Sequence, residues 1–164
     1  MAVKLVFNKT IQEVRWGGIT VANKQSEASV DSTHFQLMHT MLRVYDLEKS
    51  IDFYQNLLGM KLLNRLDFPE GKFTLAFLGY GPEETHSVIE LTYNYDQEEP
   101  YELGEAYGHI ALGVRDIHGI CAQLEAAGAN IPRKPGPMKH GTTEIAFIED
   151  PDGYKVELID LDTR

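Results

Sequence analysis

An internal repeat limits the folds open to this chain more than any other feature. The segment HTMLRVYDL at residues 39–47 aligns with HIALGVRDI at residues 109–117, with His, Leu, Val and Asp at equal offsets. Each segment alternates apolar and polar residues and then reaches an aspartate, a pattern typical of a strand that leads into a helix N-cap. We therefore expect two copies of one structural module.

Apolar spacing predicts one helix after each of these strands. In residues 46–58 the apolar side chains recur at helical intervals, and Gly59 follows. Residues 116–127 repeat that pattern, and Gly128 follows. A glycine just past the last periodic residue indicates where each helix ends.

Alternating runs predict strands in the remainder of each copy. They cover residues 60–66, 73–78 and 88–93 in the first copy, and residues 144–148 and 155–161 in the second. The resulting order predicts an α+β fold made of two tandem βαβββ modules, at residues 37–96 and 106–162. A polar stretch at residues 96–105 joins the modules into one domain.

The first 36 residues precede the repeat and carry weaker signals. They lack the apolar run and small-residue cleavage site of a secretory signal. An organellar transit peptide stays open, although Glu13 weakens it. Small polar residues at positions 22–33 are typical of a linker. We predict that residues 1–36 form a flexible or loosely docked extension.

Charge and cysteine content narrow the classes of partner and compartment. The formal net charge is -10, which argues against nucleic acids and anionic membranes because both require a basic surface. The sequence has no apolar run of about 18 residues, the length of a membrane-spanning helix. Cys121 is the single cysteine, so the chain forms no internal disulfide and suits a reducing compartment such as the cytoplasm.

Each copy of the repeat carries a histidine at the start of its first strand and a glutamate in its last strand. These residues are His39 and Glu90, then His109 and Glu157. A lone buried carboxylate is costly, so a glutamate flanked by apolar strand residues is expected to be paired, protonated or bound to a cation. Imidazole and carboxylate suit the same divalent metals. The alternative is that each glutamate points into water and that the histidines are structural.

At these residues the chain resembles the glyoxalase I family of the vicinal oxygen chelate superfamily, over residues 37–161. The motifs that carry the resemblance are LMHTMLRV, SIDFYQNLLGMKLL, LAFLGYGPE, VIELTYN, YELGEAYGHIAL, GPMKHGTT and AFIEDPDGYKVELI. The resemblance implies curved mixed sheets and a homodimer with sites at the interface. It implies one divalent metal per site, Ni2+ by preference or else Co2+ or Zn2+, on four ligands: His39, Glu90, His109 and Glu157.

The resemblance also implies a reaction. Family members convert the hemithioacetal of methylglyoxal and glutathione to S-lactoylglutathione by a 1,2-proton transfer through an enediolate. A carboxylate beside the metal suits the task of moving that proton. We expect Glu157 to be the base, with Glu90 as a ligand and partner base.

Three residues are candidates for contacts with glutathione. The resemblance implies that two of them, Arg43 and Asn94, contact glutathione. Zinc-type members have an arginine where this chain has Glu105, so one carboxylate contact is missing from the pattern. Lys139 in the GPMKHG loop is a substitute for it, with a solvated loop lysine as the alternative.

Two other functions stay open from the sequence. One is a different metalloenzyme of the superfamily: an epimerase, a dioxygenase or a resistance enzyme that transfers a thiol. Dioxygenases use two histidines and one carboxylate, so the additional Glu90 argues against that class. The other is a metal-free protein that sequesters a ligand between its modules, although such proteins generally lack the ligand quartet.

Overall fold

The computed structural model describes residues 12–16, 19–23 and 31–164. Strands β1 (Gln12–Trp16) and β2 (Ile19–Asn23) pair antiparallel in a separate two-stranded sheet. The remainder of the N-terminal 30 residues lies outside the described residues, so the flexibility of the extension stays a prediction.

The first module folds into one sheet with one helix packed against it. Its elements are β3 (His39–Arg43), α1 (Leu47–Asp52), β4 (Lys61–Phe68), β5 (Phe73–Gly79) and β6 (Val88–Asn94). The strand order is β3-β6-β5-β4, in which β3 and β6 are parallel and the other pairs antiparallel. The first and last strands of the module are therefore neighbours.

The first helix begins as predicted, but its hydrogen-bonding pattern changes from α-helical to π-helical before it ends. The Asp46 side chain accepts a hydrogen bond from the Lys49 N–H, which is a standard N-cap. After α1 the chain forms a π-helical turn at Phe53–Leu57, and Gly59 then adopts a φ of 70°. The consecutive aromatic residues Phe53 and Tyr54, at the start of this turn, both lie in the core.

The second module repeats the same plan. Its elements are β7 (Ile110–Val114), α2 (Ile117–Ala126), β8 (Asn130–Pro137), β9 (Glu144–Glu149) and β10 (Lys155–Asp160). The strand order is β7-β10-β9-β8, with β7 and β10 parallel. These two mixed sheets, each of four strands, confirm the predicted α+β fold. No helix of the described residues is long and apolar enough to span a membrane.

Strand β8 is the element that the sequence did not locate. It contains Pro132, Pro135 and Pro137, which interrupt the alternating pattern. Proline is tolerated there because β8 is the outer strand of its sheet, and an edge strand leaves N–H groups without ladder partners. The register shifts twice along the β8–β9 pair.

The strands divide their side chains between a helix-covered face and an opposite face. The side chains under the helices are buried and form one hydrophobic cluster across both modules; its strand members include Leu42, Ala76, Leu78, Ile89, Leu91, Ala146, Ile148, Val156 and Leu158. Because strand residues alternate faces, the residues between these point the other way. That opposite face carries the four candidate metal ligands in both sheets.

A turn in the second module fastens it to the first. The Asp152 carboxylate accepts hydrogen bonds from the Tyr45 N–H at 2.8 Å and the Ser50 hydroxyl at 3.2 Å. The Tyr154 hydroxyl donates to the Arg43 carbonyl at 3.0 Å. These bonds tie the end of β3 and the start of α1 to the segment that leads into β10.

Asp150 is the buried part of the same junction. Its carboxylate accepts from the Tyr54 hydroxyl at 2.9 Å, the Tyr154 N–H at 2.8 Å and the Asp152 N–H at 3.0 Å. Burial outweighs these hydrogen bonds and raises the pKa of Asp150 to about 6. The junction therefore contains a carboxyl group that titrates close to neutral pH.

Candidate metal centre

The parallel pairing of β3 and β6 brings His39 and Glu90 together. His39 lies opposite Val88, and Glu90 lies opposite Met41, so both side chains project from the same face of the sheet. His39 Nε2 is 2.9 Å from Glu90 Oε2. The glutamate side chain is 13% exposed and the histidine 42%, so the pair sits in the sheet surface with the imidazole toward solvent.

The second module builds the same pair from β10 and the residue that precedes β7. Glu157 lies opposite Ala111 in the parallel ladder, which places it on one face with His109. His109 Nε2 is 3.1 Å from Glu157 Oε2, and the two side chains are 41% and 13% exposed. The repeat in the sequence is therefore a repeat in side-chain geometry.

A phenylalanine completes each pair. Phe77 on β5 lies directly opposite Glu90, and the His39 ring meets its ring edge-on at a centroid distance of 5.9 Å. Phe147 on β9 lies opposite Glu157 and meets His109 in the same way at 5.4 Å. Such contacts orient an imidazole. The sequence carries a signal for this arrangement, since Ala-Phe-Leu at residues 76–78 recurs as Ala-Phe-Ile at residues 146–148.

The two glutamates differ in the hydrogen bonds that their carboxylates accept from neighbouring side chains. The Thr92 hydroxyl donates to Glu90 Oε1 at 3.1 Å. The residue two positions after Glu157 is Ile159, which has no hydroxyl to offer. One carboxylate is thus fixed by a neighbouring side chain on its own strand, and the other lacks that bond.

Each pair suits two positions in the coordination shell of a divalent metal. Two ligand atoms that lie about 2.1 Å from one ion at a right angle are about 3.0 Å apart, and both Nε2–Oε2 separations are close to that value. Across the described residues, no group of three or more His, Cys, Asp or Glu side chains converges. The protomer therefore presents two separate pairs, and we call each pair a half-site.

Two of the three predicted thiol contacts share a sheet face, because Arg43 lies opposite Thr92 and Asn94 follows Thr92 by two residues along β6. Arg43 lines a cavity of about 260 Å³ at the edge of the first sheet. Asn94 donates through Nδ2 to the Tyr101 hydroxyl at 2.7 Å. Lys139 is exposed in the turn after β8 and is not among the residues that line this cavity.

A larger cavity of about 720 Å³ lies near the N-terminal end of α1 and contains none of the predicted site residues. Four of its polar side chains form two bonded pairs. Arg65 contacts Glu48 at 2.7 Å, and the Thr74 hydroxyl donates to Asp67 at 2.7 Å. These four side chains are therefore paired within the lining of the cavity.

Comparison with known proteins covers most of the described chain. The family model for the Glyoxalase/Bleomycin resistance protein/Dioxygenase superfamily matches residues 36–158. A curated lactoylglutathione lyase of Neisseria meningitidis is 63% identical over 124 residues, which are 76% of this chain and 89% of that protein.

Solved structures show the same similarity. The trypanothione-dependent glyoxalase I of Leishmania major is 46% identical with a TM-score of 0.69, over 79% of this chain and 88% of that one. Glyoxalase I of Zea mays is 44% identical with a TM-score of 0.73, over 79% of this chain but only 44% of the longer maize chain.

Proposed function

The chain belongs to the Glyoxalase/Bleomycin resistance protein/Dioxygenase superfamily, and we propose that it is a lactoylglutathione lyase, a glyoxalase I. The reaction would be the isomerisation of the methylglyoxal–glutathione hemithioacetal to S-lactoylglutathione, which detoxifies methylglyoxal. The observation that carries the proposal is the pair of matching His–Glu half-sites on two repeated sheets. The 63% identity to a curated lactoylglutathione lyase supports it.

The four half-site residues would hold one divalent metal per site, Ni2+ by preference or else Co2+ or Zn2+. Imidazole and carboxylate form a donor set that suits each of these ions. When bound, such a metal supplies Lewis-acid stabilisation of negative charge on a substrate oxygen. The open exposure of both imidazoles leaves room for substrate beside the ligands.

Within this site, Glu157 would be the base that carries the proton between adjacent substrate carbons. A carboxylate that moves a proton must change its contacts during the cycle. Glu90 is bound by the Thr92 hydroxyl, whereas the residue at the matching position after Glu157 is Ile159. This asymmetry favours Glu157 as the mobile base and Glu90 as the fixed ligand and partner base.

We further propose that the enzyme is a homodimer whose sites join the first module of one chain to the second module of the other. Each protomer presents two donors per sheet, which is half of the expected set. The face around His39 also exposes large apolar side chains: Met41, Leu66 and Phe68, each 39–40% exposed. Exposed apolar side chains beside an incomplete site favour contact with a second copy.

Complementation tests this arrangement. His39→Ala and His109→Ala should each be inactive alone. Mixed and allowed to exchange subunits, they should recover about a quarter of wild-type activity, because half of the dimers are mixed and one of their two sites is intact. Inactivity of the exchanged mixture, verified to contain mixed dimers, would contradict shared sites.

The activity itself is tested by the absorbance of the thioester product. Protein stripped of metal and then reloaded with Ni2+, Co2+ or Zn2+ would be supplied with methylglyoxal and glutathione. We expect no turnover without metal and the highest turnover with Ni2+. Folded, reloaded protein that fails with every metal would refute the lyase proposal and favour ligand sequestration.

The remaining proposals concern organisation and location. Residues 37–96 and 106–162 would be the two modules of one catalytic domain, with residues 1–36 as an appended extension. A cytoplasmic location is supported by Cys121, a free and buried thiol, because reduced cysteine is usual in that compartment.

A further inference from the structure

The two oxygens of the Glu90 carboxylate have different partners. Oε2 lies 2.9 Å from His39 Nε2 and forms the half-site with it. Oε1 accepts a hydrogen bond from the Thr92 hydroxyl at 3.1 Å. Because a carboxylate has two equivalent acceptor oxygens, the bond to Oε1 determines which oxygen lies beside the imidazole.

Thr92 is itself held in place by its strand. It lies on β6 between Arg43 of β3 and Leu75 of β5, and its carbonyl accepts from the Val44 N–H at 3.0 Å. Thr92 is buried, and the branch at its Cβ restricts the side chain to few rotamers. The hydroxyl is therefore a fixed donor rather than a mobile surface group.

The second module has the same strand position without the hydroxyl. Ile159 follows Glu157 by two residues and lies between Gly113 of β7 and Ile145 of β9. Among the described residues, no side chain donates a hydrogen bond to the Glu157 carboxylate. Since the Nε2–Oε2 separations of the two half-sites are 2.9 Å and 3.1 Å, the hydroxyl is the main difference between two otherwise matching pairs.

The Thr92 bond has two physical consequences for Glu90 as a metal ligand. A carboxylate binds an ion through one oxygen or through both, and an oxygen that is engaged by a hydroxyl is less available to the ion. A long side chain that is already oriented also loses less rotamer freedom when the ion binds. Hydrogen bonds from neighbouring residues to metal ligands commonly change metal affinity by about 10- to 100-fold.

We propose that Thr92 is a positioning residue for the metal centre: its hydroxyl occupies Glu90 Oε1, so that Glu90 binds the ion through Oε2 alone and is oriented before the ion arrives. At Glu157, where Ile159 stands in place of the donor, the carboxylate is free to change how it binds the ion. This role of Thr92 rests on the proposed metal centre and lyase function, and it assigns to them a residue that acts through Glu90.

Metal affinity tests the role of the hydroxyl. The metal-free full chain would be titrated with Co2+ in competition with a coloured chelator, for wild type, Thr92→Val and Thr92→Ser. Valine keeps the shape of threonine without the hydroxyl, and serine keeps the hydroxyl. We expect Thr92→Val to weaken Co2+ binding by at least about tenfold and Thr92→Ser to restore most of the affinity. Wild-type affinity in Thr92→Val, or a serine variant as weak as the valine variant, would overturn the role.

The visible spectrum of bound Co2+ tests binding through a single oxygen. The absorption of this ion depends on its coordination geometry and weakens as more atoms coordinate it. Without the hydroxyl, Glu90 gains the use of its second oxygen, so Co2+-saturated Thr92→Val should absorb more weakly than wild type, and Thr92→Ser should match wild type. Absorption in Thr92→Val that equals or exceeds that of wild type would contradict binding through Oε2 alone.

Ile159→Thr transfers the hydroxyl to the second half-site. We expect this variant to bind Co2+ more tightly and to have a severalfold lower kcat, because the new bond would hold Glu157, the proposed base, in one orientation. General damage to the site would instead weaken both binding and turnover. Unchanged Co2+ affinity or an undiminished kcat would contradict this explanation of the difference between the glutamates.

Thr74→Val is the matched control for Thr92→Val. Thr74 is a buried threonine on the neighbouring strand β5, and its hydroxyl donates to Asp67 on the helix-covered face. The control should leave Co2+ affinity unchanged, and urea unfolding of each metal-free variant verifies that it is folded. A loss of affinity in Thr74→Val as large as that in Thr92→Val would overturn the role, because removal of any buried hydroxyl from this sheet would then have the same effect.

Binding and turnover distinguish the role of Thr92 from the proposed activity. If Thr92→Val weakens Co2+ binding but wild type does not convert the methylglyoxal hemithioacetal, the lyase proposal fails and the role of Thr92 stands. If wild type converts the hemithioacetal and Thr92→Val binds Co2+ as tightly as wild type, the lyase proposal stands and the role of Thr92 fails. A folded wild type that binds no Co2+ would overturn this role together with the metal centre.

Discussion

Asp150→Asn should change how the stability of the protein depends on pH. The carboxyl is buried at the junction of the modules, and burial raises its pKa from 3.8 to about 6. The folded protein therefore holds this proton more tightly than the unfolded chain does. The stabilisation associated with the protonated form is complete below the unfolded pKa and is lost as pH rises through the folded pKa.

The size of the effect follows from the two pKa values. The rise from 3.8 to about 6 is about two units and corresponds to about 3 kcal/mol. By linkage, about 2 kcal/mol of this develops between about pH 4.5 and about pH 7.5. Asparagine resembles the neutral carboxyl in shape and has no charged form, so the variant should gain about that much stability relative to wild type over the same interval.

Urea unfolding followed by circular dichroism measures the difference. Both proteins would be metal-free and at one protein concentration, so that ligand and dimer effects are equal. Other titrating groups cancel in the comparison, and exposed Asp96→Asn gives the baseline for losing a surface carboxylate. A difference between Asp150→Asn and wild type that stays constant across this range would refute the reasoning, since it would mean that the three hydrogen bonds offset burial.

Three further outcomes are expected. Glu157→Gln should lower kcat by at least about a hundredfold with an unchanged melting temperature, while exposed Glu70→Gln keeps full activity; turnover near the wild-type rate would remove Glu157 as base. Gly128→Ala should lower the unfolding free energy by about 1 kcal/mol, because the φ of 89° strains an L-residue, and an unchanged urea midpoint would contradict this. Leu91→Ala should cost about 2–5 kcal/mol, because Leu91 is fully buried in the core; a loss below 1 kcal/mol would indicate a loosely packed site.

The sequence predicted the parts of the fold that depend on local pattern. Both helices begin after the aspartates of the repeat and end before the predicted glycines. It did not predict strand β8, because three prolines hide an edge strand. The π-helical turn at Phe53–Leu57 was also not predicted, because the apolar spacing of residues 46–58 indicates a helix without indicating its type.

Some features of the candidate site were likewise predicted from the sequence, and others were not. The repeat was enough to select the His–Glu pairs, and the structure places the members of each pair within about 3 Å of each other. Two hydrogen bonds were not predicted, because such bonds depend on side-chain direction. They are the bond from Thr92 to Glu90 and the bond from Asn94 to Tyr101. The contacts of Asp152 join residues more than 100 positions apart, a separation at which sequence pattern carries no information.

In each sheet the first strand of the module pairs with its last strand, and this has a consequence for biosynthesis. Residues emerge from the ribosome in order, so the parallel ladder between β3 and β6 can form only after β6 has been synthesised. His39 has no Glu90 beside it until the whole first module has been translated, and the second module repeats the delay with His109. A truncated product that ends inside either module therefore lacks that module's His–Glu pair, and a nascent chain gains its chelating pairs one module at a time.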